Sequence, residues 1–260
     1  MAEYENILLR QEGKVAILTI NRPKYFNTMN EEVWKELMAA ADEIEDMEDV
    51  RAVVINSTGD HFSAGIDLKL LATVSRPFVM RWLQWLQSVY TRWEEFQIPV
   101  ICAMQGIAYG SAIELALACD IRIAAENARI AIPEVRFGLS PDMGGTYRLA
   151  KLVGPGQAKR LLMTCDEIDA QEALRIGLVE YVVPTEELTE KALKLAKKIA
   201  NMPPIAERMC KKGVNVAVEC GRTAGLLFEQ AQSTLCCGTD DMKEAINAFF
   251  EKRKPEFKGE

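Results

Sequence analysis

Three carboxylates stand in segments that are otherwise apolar or turning. They are Glu114 in Ser111-Ala112-Ile113-Glu114, Glu134 in Ile132-Pro133-Glu134-Val135-Arg136, and Asp142 in Ser140-Pro141-Asp142-Met143-Gly144-Gly145. Carboxylates brought together and out of water split their pKa values, so that one donates a proton while another accepts. A single histidine, His61, serves the whole chain, and there is no G-x-S-x-G elbow to partner it. A serine–histidine nucleophile would hang on that residue alone, and a histidine-rich metal site is excluded. The chemistry left to this composition is proton transfer by carboxylates, helped by backbone.

Two glycine-containing loops could supply that backbone help. One runs over residues 62–69 (Phe62-Ser63-Ala64-Gly65-Ile66-Asp67-Leu68-Lys69), the other over 106–116 around Gly106, Gly110 and Ser111. Neither matches the glycine patterns that cradle nucleotide phosphates. A helix opening at about Ser111 leaves its first N–H groups unpaired at the positive end of the helix dipole. A thioester oxygen that gains negative charge is a natural occupant. Glu114 follows Ser111 by three residues, so donor and carboxylate share one helix face. Plainer readings stay open on these residues alone. Ser111 to Glu114 also has the spacing of a capping box, Glu134 could be a solvated partner of Arg136, and Asp142 could be an ordinary turn residue.

Elements that must position these groups can be read from periodicity. Residues 14–20, 51–56 and 99–104 are short apolar strands. Asn30 caps a helix that carries Glu31 and Glu32 in its first turn and Val33, Leu37, Ala41 and Ile44 at helical spacing. Residues 77–97 form a long helix bearing Trp82, Trp85, Leu86, Val89 and Trp93. After the turn at 106–110 comes a helix over 111–119. Strands are expected at 120–125, 128–132 and 178–183, helices near 155–164 and 169–176, and from about 186 the pattern is helical almost to the end. Strands alternating with helices indicate an α/β core.

The 260 residues suffice for one large domain or a domain with an appendage. Hydrophobic residues make up 49% and charged residues 27%, a packed rather than a disordered chain. A formal net charge of −7 argues against broad nucleic-acid or anionic-membrane binding, leaving only local basic spots such as Lys211–Lys212. No apolar run approaches the roughly 20 residues needed to cross a bilayer. The acidic first residues lack a signal-peptide core, so a cytoplasmic location is expected. Seven cysteines, several in apolar runs and none in a C-x-x-C pair, fit free thiols better than disulfides or a zinc site.

Taken in order along the chain, these segments resemble the crotonase family, also called the enoyl-CoA hydratase/isomerase family. Asn21-Arg22-Pro23 with Asn27, the loop at 62–68, the segment from Gly106 to Asp120, Pro133-Glu134 with Gly138, Gly144-Gly145-Thr146, and the ending from Phe250 to Gly259 all carry the resemblance. It implies an α/β fold, a crotonase-like spiral of ββα turns over residues 1–200 holding an acyl-CoA site. A helical C-terminal region, 201–260, would serve trimerisation, giving a homotrimer or a dimer of trimers. The implied substrate is an acyl-CoA thioester, with no cofactor beyond the coenzyme A it carries and no metal. By position, the oxyanion donors would be the backbone N–H groups of Ile66 and Ser111, and Glu114 and Glu134 would be the catalytic glutamates. Lys24 and Ala64, with Lys252 of a neighbouring subunit, would touch coenzyme A. Gly65, Asp67, Leu68 and Gly110, on the two loops, complete the implied binding set.

Two departures bear on activity. The second loop usually reads Gly-Gly-Gly in this family, and here it is Gly110-Ser111-Ala112. Asp142 stands where simple hydratases carry a small residue and where dienoyl-CoA isomerases and the chlorobenzoyl-CoA dehalogenase carry aspartate. The retained glutamate pair favours hydration of a 2-enoyl-CoA. Double-bond isomerisation through Asp142 comes next, and thioester hydrolysis stays open. Dehalogenation is disfavoured because it wants an aromatic residue at position 134. A non-catalytic acyl-CoA-binding scaffold is the reading outside enzymes. Residue by residue the tryptophans of 77–97 are read as core, while the helix that carries Trp82 and Trp85 is a candidate wall of the acyl pocket, one that would favour cyclic or bulky acyl groups.

Overall fold

The computed structural model describes residues 3–260. Nine strands and ten α-helices follow one another: β1 (Ile7–Glu12), β2 (Val15–Ile20), α1 (Glu31–Glu45), β3 (Ala52–Ser57), α2 (Leu68–Leu71), α3 (Arg76–Glu94), β4 (Val100–Met104), β5 (Ile107–Tyr109), α4 (Ser111–Ala118), β6 (Ile121–Ala125), β7 (Arg129–Ala131), α5 (Gly145–Thr164), β8 (Ile168–Asp169), α6 (Ala170–Arg175), β9 (Tyr181–Val183), α7 (Leu188–Ala200), α8 (Pro204–Glu219), α9 (Arg222–Cys236) and α10 (Asp240–Glu251).

Six strands form one sheet in the order β1-β2-β3-β4-β6-β9, and a smaller sheet has the order β5-β7-β8. Apart from the antiparallel β1–β2 hairpin, the larger sheet is parallel. Isolated bridges from Met29 to Ile66 and from Ser63 to Ala108 extend the smaller sheet beyond β5. Each turn of the chain therefore lays one strand in the large sheet and one segment in the small layer, then crosses back by a helix. The expected α/β spiral of ββα turns is what the chain forms.

The period-2 alternation of the strands explains the layering. Val15, Ile17, Ala52, Val54, Ile101, Ala103, Ile123 and Ala125 pack on one face of the large sheet against Leu188, Ala192, Ala196 and Ala200 of α7. The residues between them, among them Ala16, Leu18, Ile20, Val53, Ile55 and Cys102, face the main core with α1, α3 and α4. Alanines spaced four apart on α7 let that helix lie close on the strands.

Several local expectations needed correction. β1 was not anticipated, because this edge strand exposes half of its residues, buries only Ile7 fully and carries a polar end. Residues 107–109 are a strand rather than part of a turn, held between the Ser63 bridge and β7. The helix expected over 155–164 is only the second half of α5, which opens at Gly145 and breaks at Gly154, where φ is 79° just before Pro155. α3 ends at Glu94, ahead of Pro99, which disfavours helical backbone in the residue before it. Only 181–183 of the stretch 178–183 pair as a strand. The Asn30 cap is observed, its side chain accepting from the Val33 N–H at 3.0 Å.

Lys211 is not part of a surface basic spot. Its ammonium is buried, pairs with Asp120 at 2.8 Å and donates to the Ile98 carbonyl at 3.1 Å. This contact fastens α8 to the end of β4's entry loop. Arg122, also buried, donates to the carbonyls of Ala116 and Cys119 at 3.2 and 2.7 Å and to Glu180 at 2.7 Å. A cation at the C-terminal end of α4 complements the helix dipole there and fixes the helix whose other end faces the site.

Candidate active site

The loop after β3 is threaded into the small layer by backbone hydrogen bonds. Ser63 N–H donates to the Ile107 carbonyl and Tyr109 N–H to the Ser63 carbonyl, both at 3.0 Å. Further on, Met29 N–H donates to the Gly65 carbonyl and Asp67 N–H to the Met29 carbonyl, both at 2.8 Å. The amide between them, on Ile66, has no acceptor among the described residues. Such alternation is what a parallel bridge imposes, since every second amide points away from the neighbouring strand.

α4 supplies the second free amide. Gly110 is its cap residue, at φ 53° and ψ −121°, a conformation that glycine adopts at little steric cost. The Gly110 carbonyl accepts from Ile113 and Glu114 N–H, which leaves the Ser111 N–H without an acceptor among the described residues. The two loops approach so closely that a Cβ on Gly65 would lie 2.6 Å from the Tyr109 carbonyl oxygen and 3.5 Å from the Ser111 nitrogen. The unpaired amides of Ile66 and Ser111 thus come from adjacent residues of two touching loops.

The glutamates converge on the same place. Glu114 is 1% exposed, and its Oε1 accepts from Met143 N–H and Gly145 N–H, each at 2.9 Å. The capping-box reading is therefore wrong: Ser111 is the first helical residue rather than the cap, no side chain caps α4, and the Glu114 carboxylate is held by another loop. Glu134 opens a 3-10 turn, Glu134–Phe137, after Pro133. Its Oε1 lies 2.7 Å from where a Cβ on Gly110 would be, against the start of α4. It does not pair with Arg136, whose guanidinium donates to the Cys165 carbonyl at 2.8 Å. The Glu134 Oε2 and the Ser111 hydroxyl are buried with no hydrogen-bond partner among the described residues.

Among the described residues no cation pairs with these acids, and their protonation reflects that. Burial, then the charges of Glu134 and Asp142, pushes Glu114 up to about 8, against the pull of its two amide donors. Burial raises Glu134 to about 7, and the charge of Asp142 adds to the shift. Asp142 moves upward as well, through burial. A cavity of about 90 Å³ joins them. Ile66, Ser111, Glu114, Glu134, Asp142 and Met143 line one part of it. Most of the remaining wall is apolar and comes from α2 and α3, with Leu70, Leu71, Phe78, Val79, Leu83 and Leu86, and Trp34 of α1 adds to it.

The helix that carries Trp82 and Trp85 does wall the cavity, as expected, and the two rings themselves are not among the lining residues. They pack edge to face on each other, with ring centroids 5.7 Å apart, and Val79, Leu83 and Leu86 present the adjoining face of α3 to the cavity. The two faces differ by one position of helical phase, which periodicity alone cannot resolve. His61 accepts from Ile107 N–H at its Nδ1 and stacks on Phe26, so the one histidine braces the loops.

The remaining residues of the expected binding set fall around the first loop. Ala64 N–H donates to the Phe26 carbonyl at 3.0 Å, placing the 3-10 turn Pro23–Tyr25 and hence Lys24 beside it. Asp67 caps α2 through Lys69 N–H at 2.9 Å and faces Arg22 at 3.7 Å. Leu68 is exposed. Lys252 lies at the end of α10 and does not line this cavity. Sequence reasoning missed the Met143 and Gly145 amides that grip Glu114. The signal was available in Gly144-Gly145 before a helix: a Cβ on Gly145 would lie 2.7 Å from the Glu114 Oε1.

Comparison with known proteins is consistent with this geometry. A family model described as enoyl-CoA hydratase/isomerase matches residues 10–260. A short-chain-enoyl-CoA hydratase of Clostridium acetobutylicum is 42% identical over 255 residues, 98% of each chain. A crotonyl-CoA hydratase of Syntrophomonas wolfei is 41% identical, again over 98% of each chain. The crystal structure of an enoyl-CoA hydratase from Bacillus anthracis superposes with a TM-score of 0.95 at 37% identity, over 98% of this chain and all of that one.

Proposed function

This chain belongs to the enoyl-CoA hydratase/isomerase family, and we propose how it works as an enoyl-CoA hydratase, adding water across the 2,3 double bond of an acyl-CoA thioester. The N–H groups of Ile66 and Ser111 hold the thioester oxygen and stabilise the enolate-like state that follows attack. Removing one such donor typically costs on the order of 10²–10³ in rate. Water sits between Glu114 and Glu134. One of the two carboxylates is ionised and takes a proton from the water as its oxygen bonds to C3. The other is protonated and delivers its proton to C2. Near neutral pH the pair holds about one proton between its members, because both are raised from the ordinary carboxylate range to about 8 and about 7.

The observation that carries this reading is the convergence of two unpaired amides and three cation-free carboxylates on one largely apolar cavity. Lys24, and Lys252 of a neighbouring subunit, are assigned to the coenzyme A phosphates. Residues 201–260 are assigned to assembly into trimers or paired trimers, which would cover exposed apolar side chains such as Leu226, Leu227, Phe249 and Phe250. A species sedimenting as a monomer would remove that assignment. Asp142 lines the same cavity as the glutamates, which also favours a secondary isomerisation of dienoyl-CoA substrates.

The deciding experiment is mass spectrometry of products from crotonyl-CoA, longer enoyl-CoA, dienoyl-CoA and cyclic enoyl-CoA substrates. Hydration adds the mass of one water to the thioester. Unchanged mass with a moved double bond would make the chain an isomerase, and free coenzyme A without hydration would make it a hydrolase.

A further inference from the structure

Glu114 is gripped by two amides of one short segment, and that segment is itself held peptide by peptide. The peptide joining Asp142 to Met143 gives its N–H to Glu114 and receives the side-chain amide of Gln87 on its carbonyl, at 2.7 Å. The peptide joining Gly144 to Gly145 gives its N–H to Glu114 and receives the Arg148 N–H on its carbonyl, at 2.8 Å. Between them, the Met143 carbonyl accepts from the Arg148 guanidinium at 2.9 Å. The guanidinium is 8% exposed. Its other donors are taken by the Glu94 carboxylate, at 2.9 and 2.7 Å, and by the Thr91 hydroxyl at 2.9 Å. A Cβ on Gly144, where φ is 103°, would lie 2.0 Å from that guanidinium, so the segment is seated flush against it.

We propose that Arg148, assisted by Gln87, is a positioning residue for the hydration reaction, clamping segment 142–145 so that its amides aim at Glu114. Neither side chain lines the acyl cavity, so both act through Glu114 and not on the substrate. Two N–H donors directed at one oxygen favour the ionised carboxylate and fix which oxygen remains free for proton transfer. The other groups facing Glu114 are Glu134 from the turn after β7, Asp142 from the clamped segment and Tyr90 from α3, and none of them supplies a positive charge. The clamp is the one arrangement that opposes the burial of Glu114. Glu94 and Thr91, both on α3, lock the guanidinium, so the end of that helix is coupled to the site on its far side.

The inference rests on the assignment of Glu114 to acid–base chemistry, and the test separates the two. Hydration is measured for Arg148→Met, Gln87→Leu and Glu114→Gln over a range of pH. Arg148→Met should lower kcat about 10–100-fold with KM changed less than about 3-fold, since the carboxylate is misplaced while the cavity stands. The limb of the kcat profile that Glu114→Gln abolishes should move to higher pH, because donors to the ionised form are lost. Gln87→Leu, at an exposed site, should move the same limb in the same direction by a smaller amount, and it carries the test should Arg148→Met fail to fold. Arg148→Lys should recover part of kcat and of the limb position. An unmoved limb in Gln87→Leu and in any folded Arg148 variant overturns the proposal, even where stability falls. Near-normal turnover in Glu114→Gln overturns the underlying mechanism instead.

Discussion

Helix α4 has buried charge at both ends, and the two ends are built on opposite principles. Beyond its C-terminus, Asp120 meets Lys211 at 2.8 Å and the Val100 N–H at 2.7 Å, while Arg122 meets Glu180 at 2.7 Å and four backbone carbonyls. Asp120 and Glu180 each meet a cation there, although burial still raises Asp120 against the pull of Lys211, and the neighbouring Glu207, also raised by burial, has no ion pair among the described residues. At its N-terminus, Glu114, Glu134 and Asp142 share a cavity, and none of the three has an ion pair among the described residues. A buried pair keeps both members ionised and locks elements together. Buried acids without a cation are pushed toward neutrality, and a proton that is easily lost or gained is what general acid–base catalysis needs. Burial alone therefore does not distinguish a structural charge from a chemical one; the partner does.

The largest effects are expected at the N-terminal end of α4. Glu114→Gln and Glu134→Gln should each lower hydration by roughly 10²–10⁴-fold with the fold intact by circular dichroism. Turnover near that of the parent in either variant would make that glutamate a packing residue like those at the other end. At the C-terminal end, Lys211→Met should cost about 3–5 kcal/mol in equilibrium denaturation, because Asp120 is left buried without its cation. The folded fraction should keep its kcat. Pairing the change with Asp120→Asn should return part of the lost stability, and no recovery would mean that the ion pair is not what the helix end depends on.

A smaller effect sharpens the contrast through pH. The Glu114 carboxyl stands at about 8 in the folded chain, against an ordinary value of 4.5. Between those values the unfolded chain has released a proton that the folded chain retains, so stability falls as pH rises through that window. Below it both states are protonated and the dependence vanishes. Glu114→Gln lacks this penalty and should be more stable than the parent at pH 8, by on the order of 1–3 kcal/mol, with no such gain at pH 4. A Gln variant less stable at both pH values would contradict the account of an uncompensated buried acid. The smallest effect is expected for Asp142→Asn, which should change hydration less than about 3-fold, since the glutamate pair already holds both protonic roles. It should abolish any dienoyl-CoA isomerisation. Equal losses in both reactions would show that Asp142 is not confined to double-bond migration.

Much of this was legible along the chain. Strand-like runs at 14–20, 51–56 and 99–104 became β2, β3 and β4, and the cap at Asn30 holds as read. Both glycine loops were recognisable, as were the acids beside them, because special backbone and isolated carboxylates leave marks in composition. What escaped were features that depend on neighbours in space. β1 is a half-exposed edge strand and β5 has only three residues, so both owe their pairing to strands elsewhere and not to their own pattern. The long helix was legible as a wall of the pocket, but only the helical phase set by packing against the core shows that Val79, Leu83 and Leu86, and not Trp82 or Trp85, face it.

The amino-acid sequence by itself determined the alternation of strands and helices, the two points where glycine lets backbones approach, and the chemical identity of the acids. Those are properties of residue types and short-range spacing. Whether an acid is paired or left alone was decided only by the tertiary structure. Lys211 comes from 91 positions beyond Asp120 to pair with it, and among the described residues no cation pairs with Glu114. The proton affinity of a carboxylate is set by the dielectric and the charges within a few ångströms, and the chain defines those only when it is folded.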